Sequence, residues 1–137
     1  MSKIEPIDEE YVFEGRAIVS ETDTKGVITY ANRKFCEISG YSKEELVGQP
    51  HNIIRHPDMP KKAFEAMWNT IKQGNIWTGL VKNLRKDGRY YWVETTITPV
   101  TDENGLIVKY AAARKPVSRA SIDEAEKQYK VMKENES

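Results

Sequence analysis

His51-Asn52-Ile53-Ile54-Arg55-His56-Pro57-Asp58-Met59-Pro60 is the stretch from which the rest of the chain is read most directly. It gathers both histidines of the chain, an arginine, an aspartate and two prolines into ten residues. Pro57 lacks an N–H and pushes His56 out of the helical region, and Pro60 does the same to Met59, so the stretch is a shaped loop. Directly after it, Phe64, Met67, Trp68 and Ile71 fall at i, i+3, i+4 and i+7, the spacing of one buried helix face, with Gly74 placed to stop the helix. A polar loop on a helix start suits an anion, because first-turn N–H groups point outward and carry the positive end of the helix dipole. Arg55 and His56 would add charge. The competing reading is structural: Asp58 caps the helix, Pro60 starts it, and Arg55 and His56 are solvated loop residues.

At 137 residues the chain suits one ordinary core and is short for two domains. A formal net charge of zero offers no broad basic field to hold nucleic acid or an anionic membrane. No apolar run approaches a membrane span, and residues 1–10 have neither the basic start nor the apolar core of a signal peptide. Direct membrane insertion is not expected, and the cytoplasm is the expected location. The only cysteine, Cys36, can form no internal disulfide and builds no thiolate metal site alone, which leaves it as a small buried apolar residue.

Outward from the loop, Ala17–Thr22 and Val27–Tyr30 read as strands joined by the tight turn Asp23-Thr24-Lys25-Gly26. Asn32 is placed to cap a short helix from Arg33 to Ser39, ended by Gly40. Ser42-Lys43-Glu44-Glu45 fits a capping box, with Leu46 and Val47 facing the core before Gly48. Beyond the organising loop, Trp77–Leu84, Tyr90–Val100 and Leu106 to about Lys115 read as strands, separated by turns at Asp87-Gly88 and Asp102-Glu103-Asn104-Gly105. Strands kept apart from helices and joined by hairpins imply α+β with an antiparallel sheet covered on one face. In the tail, Ser121-Ile122-Asp123-Glu124 is a second capping-box pattern, and Ile122, Ala125, Tyr129 and Met132 take a/d spacing. That helix has three readings: docked on its own sheet, a dimer seam, or the start of a connector.

With the order of elements laid out, Thr22-Asp23-x-x-Gly26-x-Ile28-x-Tyr30-Ala31-Asn32-x-x-Phe35, then Ser39-Gly40-Tyr41-Ser42-x-x-Glu45-Leu46-x-Gly48, resembles the N-terminal half of a PAS domain. Lys86-Asp87-Gly88-x-Tyr90-Tyr91-Trp92 resembles its second half. The run from Gly48 to Pro60, followed by Trp68, Trp77-Thr78-Gly79 and Val81-Lys82-Asn83, is similar to the flavin-binding PAS domains of bacterial aerotaxis receptors. The match covers roughly residues 10 to 116. It implies a five-stranded antiparallel sheet in the order 2-1-5-4-3 with short helices over one face, a PAS domain over 14–117, an N-terminal cap over 1–13 and a C-terminal helix or connector over 118–137.

The resemblance also implies non-covalent FAD as a redox antenna reporting to a chemotaxis-type output. The partner would be a HAMP or methyl-accepting signalling domain, or a separate receptor chain. A homodimer through the cap, the sheet face or the C-terminal helix is a further expectation. For such a ligand, Arg55 and His56 would face the pyrophosphate or ribityl region, and Asp58 would hold the loop by capping the following helix. Asn83, with a donor pair and an acceptor, suits the uracil-like edge of the ring. Trp68 and Trp77 would form the pocket wall or pack in the core. Of Ala111, Ala112 and Ala113, strand alternation turns one or two inward and leaves room for a flat ligand. Trp92, alternating against Tyr91 and Val93, would lie on the outer, signalling face of the sheet.

Rival readings follow from the same residues. A haem-binding sensor would need an axial histidine from His51 or His56, but a histidine before proline in a kinked loop is a poor platform for it. A light-sensing domain of the LOV type needs a cysteine beside the ring, where this chain has His51. A PAS module that only binds other proteins needs no ligand at all. Catalysis is not expected, for the sequence has no Gly-rich phosphate loop, metal-ligand spacing or nucleophile–base pair.

Overall fold

The computed structural model describes residues 4–15 and 17–136. Residues 1–3 of the expected cap, Arg16 of the expected domain and Ser137 of the tail lie outside the described residues. In chain order the elements are β1 (Ile18–Thr22), β2 (Ile28–Ala31), α1 (Arg33–Ser39), α2 (Lys43–Leu46), a 3₁₀ turn (His51–Ile54), α3 (Lys61–Lys72), β3 (Trp77–Leu84), β4 (Tyr90–Thr101), β5 (Ile107–Lys115) and α4 (Arg119–Glu134). The strands form one antiparallel sheet in the order β2-β1-β5-β4-β3, as expected.

Local chemistry sets the first half. Asp23 closes the β1–β2 turn by accepting from the N–H groups of Lys25 (2.9 Å) and Val27 (3.0 Å). Gly26, at φ +88°, takes the left-handed position, and a Cβ there would meet the Trp68 ring at 3.0 Å. Asn32 caps α1 by accepting from Phe35 N–H, and the same oxygen accepts from Val19 N–H at 3.1 Å, which ties the helix to β1. Ser42 and Glu45 form the reciprocal capping box of α2. Leu46 is buried, but Val47 is 38% exposed, against expectation. The helix has already ended there: Val47 is its extended C-cap, so its side chain turns outward.

Two helix starts differ from the sequence reading. Asp58 does not cap α3; the N-cap is Pro60, whose backbone is extended and has no side-chain cap. The Asp58 carboxylate is turned to Lys82 Nζ in β3 at 2.8 Å, and the N–H groups of Lys61 and Lys62 instead donate to Glu136 at 3.1 and 2.9 Å. A charge-assisted tertiary bond outcompetes the local cap. In the tail, the cap is Ser118, three residues before the expected Ser121, and Ser121 N–H donates to it.

The inner face of the sheet packs against α1, α2 and the 3₁₀ turn around Ile18, Phe35, Ile38, Leu46, Ile54, Tyr91 and Val93. The outer face is covered over β3 and β4 by α4, which takes the first of the three readings of the tail, docked on its own sheet. Ile122 and Ala125 are buried against Trp92, the Tyr129 ring stacks on it (6.2 Å, 12°), and the Tyr129 hydroxyl donates to Leu80 C=O at 2.6 Å. The described N-terminal residues run beside the β3–β4 hairpin: Ile7 N–H donates to Gly88 C=O and Tyr11 N–H to Tyr90 C=O. Tyr11 lies under the guanidinium groups of Arg85 (3.7 Å) and Arg89 (5.0 Å), and Phe13 meets Tyr91 edge-on at 6.1 Å.

Candidate functional site

Between the inner face of the sheet and α3 lies a cavity of 280 Å³. Phe64, Met67, Trp68 and Ile71 of α3 line it, so the apolar helix face read from the sequence is a cavity wall. That explains why Phe64, Met67 and Trp68 are only half-buried while Ile71 is 1% exposed. The opposite wall is sheet: Val81 of β3, Ile97 of β4, and Tyr110 and Ala112 of β5. Trp77 lies across Gly79, where a Cβ would collide with its indole, and lines the cavity from the start of β3. Trp68 stands edge-on to Tyr110 at 5.7 Å. Of the three alanines, Ala112 faces the cavity, in register with Ser20 on one side and Ile97 on the other.

One end of the cavity is polar and deeply buried. Arg114, two residues beyond Ala112 on the same strand face, is 4% exposed. Its Nη2 donates to Ser20 Oγ (3.0 Å) and to His51 Nε2 (2.8 Å), and its guanidinium lies 4.7 Å from the Phe35 ring centre. None of its hydrogen bonds goes to a carboxylate, and its Nη1 is buried without a partner. Burial lowers its pKa to about 10, although Tyr91 pulls the other way. Arginine only donates, so His51 Nε2 is an acceptor and the ring proton sits on Nδ1. Burial first, and then Arg114, lower the His51 pKa to about 3 and keep it neutral. The ring is stacked on Phe35 at 5.9 Å.

Further polar groups surround that end. Asn83, 3% exposed, lines the cavity, as does Thr95, whose buried hydroxyl has no partner. The Tyr91 hydroxyl is also buried and unpartnered, its pKa pushed up to about 12 by burial. Buried polar groups are nearly always satisfied, so Arg114 Nη1 and Thr95 Oγ1 on one cavity call for acceptor atoms from a ligand. The exposed residues Lys25, Pro50 and Asn52 mark the mouth.

The organising loop is divided between two faces. Arg55 belongs to the cavity: its guanidinium lies 4.1 Å from the Phe64 ring centre, and its backbone forms an antiparallel bridge with Asn83. His56 and Asp58 do not line it. His56 is 4% exposed; its Nδ1 accepts from Asp58 N–H at 3.0 Å and its ring meets Tyr90 edge-on at 6.3 Å. Burial, then Lys82, lowers its pKa to about 4. With the Asp58–Lys82 pair, this holds the loop against β3 and β4. Thus His51, Arg55, Asn83, Trp68 and Trp77 come together at the cavity, while His56 and Asp58 act behind it. Sequence reasoning missed Arg114 and Thr95. For Arg114 a signal was present: a charge two residues after an inward-facing alanine shares its face.

Cys36, on α1, is not among the cavity-lining residues. Among the described residues no cluster of His, Cys, Asp and Glu has the makings of a metal site, and no helix is long and apolar enough to cross a membrane.

Comparison with known proteins agrees with this geometry. The Aerotaxis receptor of Escherichia coli (strain K12) is 46% identical over 115 residues, taking in 84% of this chain and 22% of the receptor. The chain therefore spans about a fifth of that relative's length. The light-state structure of the blue-light photoreceptor Aureochrome1 LOV superposes with a TM-score of 0.72 at 25% identity, covering 80% of this chain and 91% of that one. A second structure, described as "Flavin Analogue Sheds Light on Light-Oxygen-Voltage Domain Mechanism", gives a TM-score of 0.71 at 26% identity, over 88% and 89%. The family described as PAS fold matches residues 28–114, and this chain belongs to it, as a PAS domain of the aerotaxis-receptor type.

Proposed function

We propose that the domain binds a flavin nucleotide, FAD, and reports its redox state to a chemotaxis-type signalling partner. The observation that carries the reading is the buried guanidinium of Arg114, without a carboxylate and with a free N–H on a cavity of 280 Å³. Whole-ligand pockets run from about 300 to 1,000 Å³, and this cavity, just under that range, suits the ring of a flavin alone, with the phosphate-bearing chain leaving by the mouth. A flavin ring has apolar faces and an acceptor-rich edge, which the apolar α3 and sheet walls and the donor-bearing polar end complement. Similarity to an aerotaxis receptor and to LOV structures supports both ligand class and role.

A bound flavin supplies a ring that takes up electrons and a proton. The chain's own groups then have distinct tasks. Arg114 offers a fixed positive charge to the acceptor edge; neutral His51 and Ser20 hold its other N–H groups in place. Asn83 offers either end of its amide, and its backbone bridge to Arg55 ties this strand position to the loop. Trp68, Trp77 and Phe64 exclude water. Arg55 and Lys25 face the charged chain at the mouth. His56 and Asp58 position the loop. The role is sensing, with no catalytic step.

The partner is a HAMP or methyl-accepting signalling domain, or a separate receptor chain, in the cytoplasm. The test is the visible spectrum of the protein after incubation with FAD or FMN, before and after dithionite. Flavin bands that bleach, and that are lost in Asn83→Ala, are expected. A Soret band would replace the reading with haem held by His51. Colourless protein after reconstitution would leave a PAS module that only binds other proteins.

A further inference from the structure

We propose that the C-terminal end of α4 and the turn after it form a latch on the ligand site: Lys133 of the last helical turn and Glu136 just beyond the helix hold the start of α3 and the loop before it, and an anionic ligand chain at Arg55 loosens that hold. The inference rests on the reading of the cavity as a flavin-nucleotide site. It begins from the missing cap of α3. Pro60 has no side chain that can satisfy the first-turn N–H groups, and Asp58 is engaged by Lys82. Both oxygens of Glu136, about 75 residues later in the chain, take the N–H groups of Lys61 and Lys62. A carboxylate at that place also meets the positive end of the α3 dipole. One turn earlier, Lys133 Nζ donates to Pro57 C=O.

Arg55 connects this clasp to the cavity. It lines the cavity on one side and, on the other, a surface pocket shared with Lys61, Lys133 and Glu136. Burial lowers the Arg55 pKa, and Glu136 opposes that by favouring the charged form, so the two already interact. A phosphate chain leaving the cavity mouth presents a second, stronger anion to the same guanidinium. The two anions then repel each other as well as competing for Arg55. Ligand binding weakens the clasp, and by thermodynamic reciprocity loss of the clasp strengthens ligand binding. Because α4 rests on Trp92 through Tyr129, freeing its last turn leaves the body of the helix docked and changes only its far end.

The experiment titrates FAD, FMN and riboflavin into the full chain and into Glu136→Gln and Lys133→Met. Glutamine keeps an acceptor for α3 and removes the charge. Amide exchange at Lys61 and Lys62 is followed by NMR alongside. Glu136→Gln should bind FAD and FMN about fivefold more tightly, at the low end of ordinary coupling, and riboflavin, which has no phosphate, unchanged. Saturating FAD should speed exchange at Lys61 and Lys62 in the native chain, and Lys133→Met should speed it without ligand. Equal affinities in all proteins overturn the latch while leaving the flavin site standing. Equal tightening for riboflavin also overturns it, since it would mean general loosening. If the native chain binds none of the three, the site reading falls and the latch with it.

Discussion

Replacing Arg114 with methionine should change the stability of the empty domain little and make the liganded one much weaker. A change of pKa from 12.5 to about 10 corresponds to roughly 3 kcal/mol spent keeping the guanidinium charged in the ligand-free cavity. Against that stand the hydrogen bonds of Nη2 to Ser20 and His51, which at about 1.5–3 kcal/mol for each charge-assisted bond recover about 3–6 kcal/mol together. Methionine of similar length removes the charge, and Ser20 Oγ and His51 Nε2, already 3.3 Å apart, can bond to each other. With about 1 kcal/mol returned by that bond, the net change lies between about 1 kcal/mol in favour of the variant and about 2 kcal/mol against it, a shift of a few degrees in Tm for a chain of this size. Flavin binding should lose a charge-assisted donor and weaken by at least about tenfold, which is about 1.4 kcal/mol. Thermal unfolding with and without FAD, on both proteins, reads the two effects together. A variant that unfolds more than about 2 kcal/mol earlier without ligand, and still binds FAD like the parent, would refute the reasoning. Arg114 would then be a packing residue and the cavity would need another occupant.

Three further outcomes follow from the packing and the titrating groups. His51 and His56 stay neutral in the fold, at about 3 and about 4, while unfolded histidine titrates near 6.5. Below pH 6.5 the unfolded chain gains protons that the folded chain refuses, so urea midpoints should fall as pH falls, by about 1.4 kcal/mol per pH unit for His51 with His56 adding to it, and His51→Gln should flatten the slope. Trp92→Ala removes the ring on which Tyr129 stacks and should cost about 3–5 kcal/mol, with limited proteolysis then cutting within α4 before the sheet. Asn32→Ala deletes one acceptor for two N–H groups, those of Phe35 and Val19, and should cost about 2 kcal/mol by urea unfolding, the upper end for a helix cap.

How far the sequence could be read depended on the range of the interaction. Asn32, Gly40 and the Ser42 capping box act within four residues, and each sits where local pattern puts it. The sheet order needed more than local pattern, since hairpin signals give neighbours but not the place of β1 beside β5; the family resemblance supplied that. Asp58 failed as a cap because its rival, Lys82, is 24 residues away and no local rule sees it. The Ser118 and Ser121 starts are three residues apart and chemically alike, and the choice was made by where α4 meets Trp92. At the site, Arg55 was legible from its loop, whereas Arg114 was signalled only by strand alternation after an inward alanine, and its burial shows once its neighbours are in place. Nothing in the sequence indicated that the loop would divide, arginine toward the cavity and His56 with Asp58 behind it.

The segment from Gly48 to Arg55 has a consequence for solubility. The two outermost strands of the sheet are β2 and β3, and open strand edges invite pairing between molecules. Gly48, Gln49 and His51 bond to the backbone of Gly26 and Ile28 along β2, and Arg55 bridges Asn83 on β3, where Met59 Sδ also accepts from Lys82 N–H. One short stretch thus guards both borders of the sheet. Whatever lifts it, an emptied pocket or a substitution at its turn, uncovers two adhesive edges at once, so protein prepared without ligand should clump at concentrations where the filled form stays dispersed.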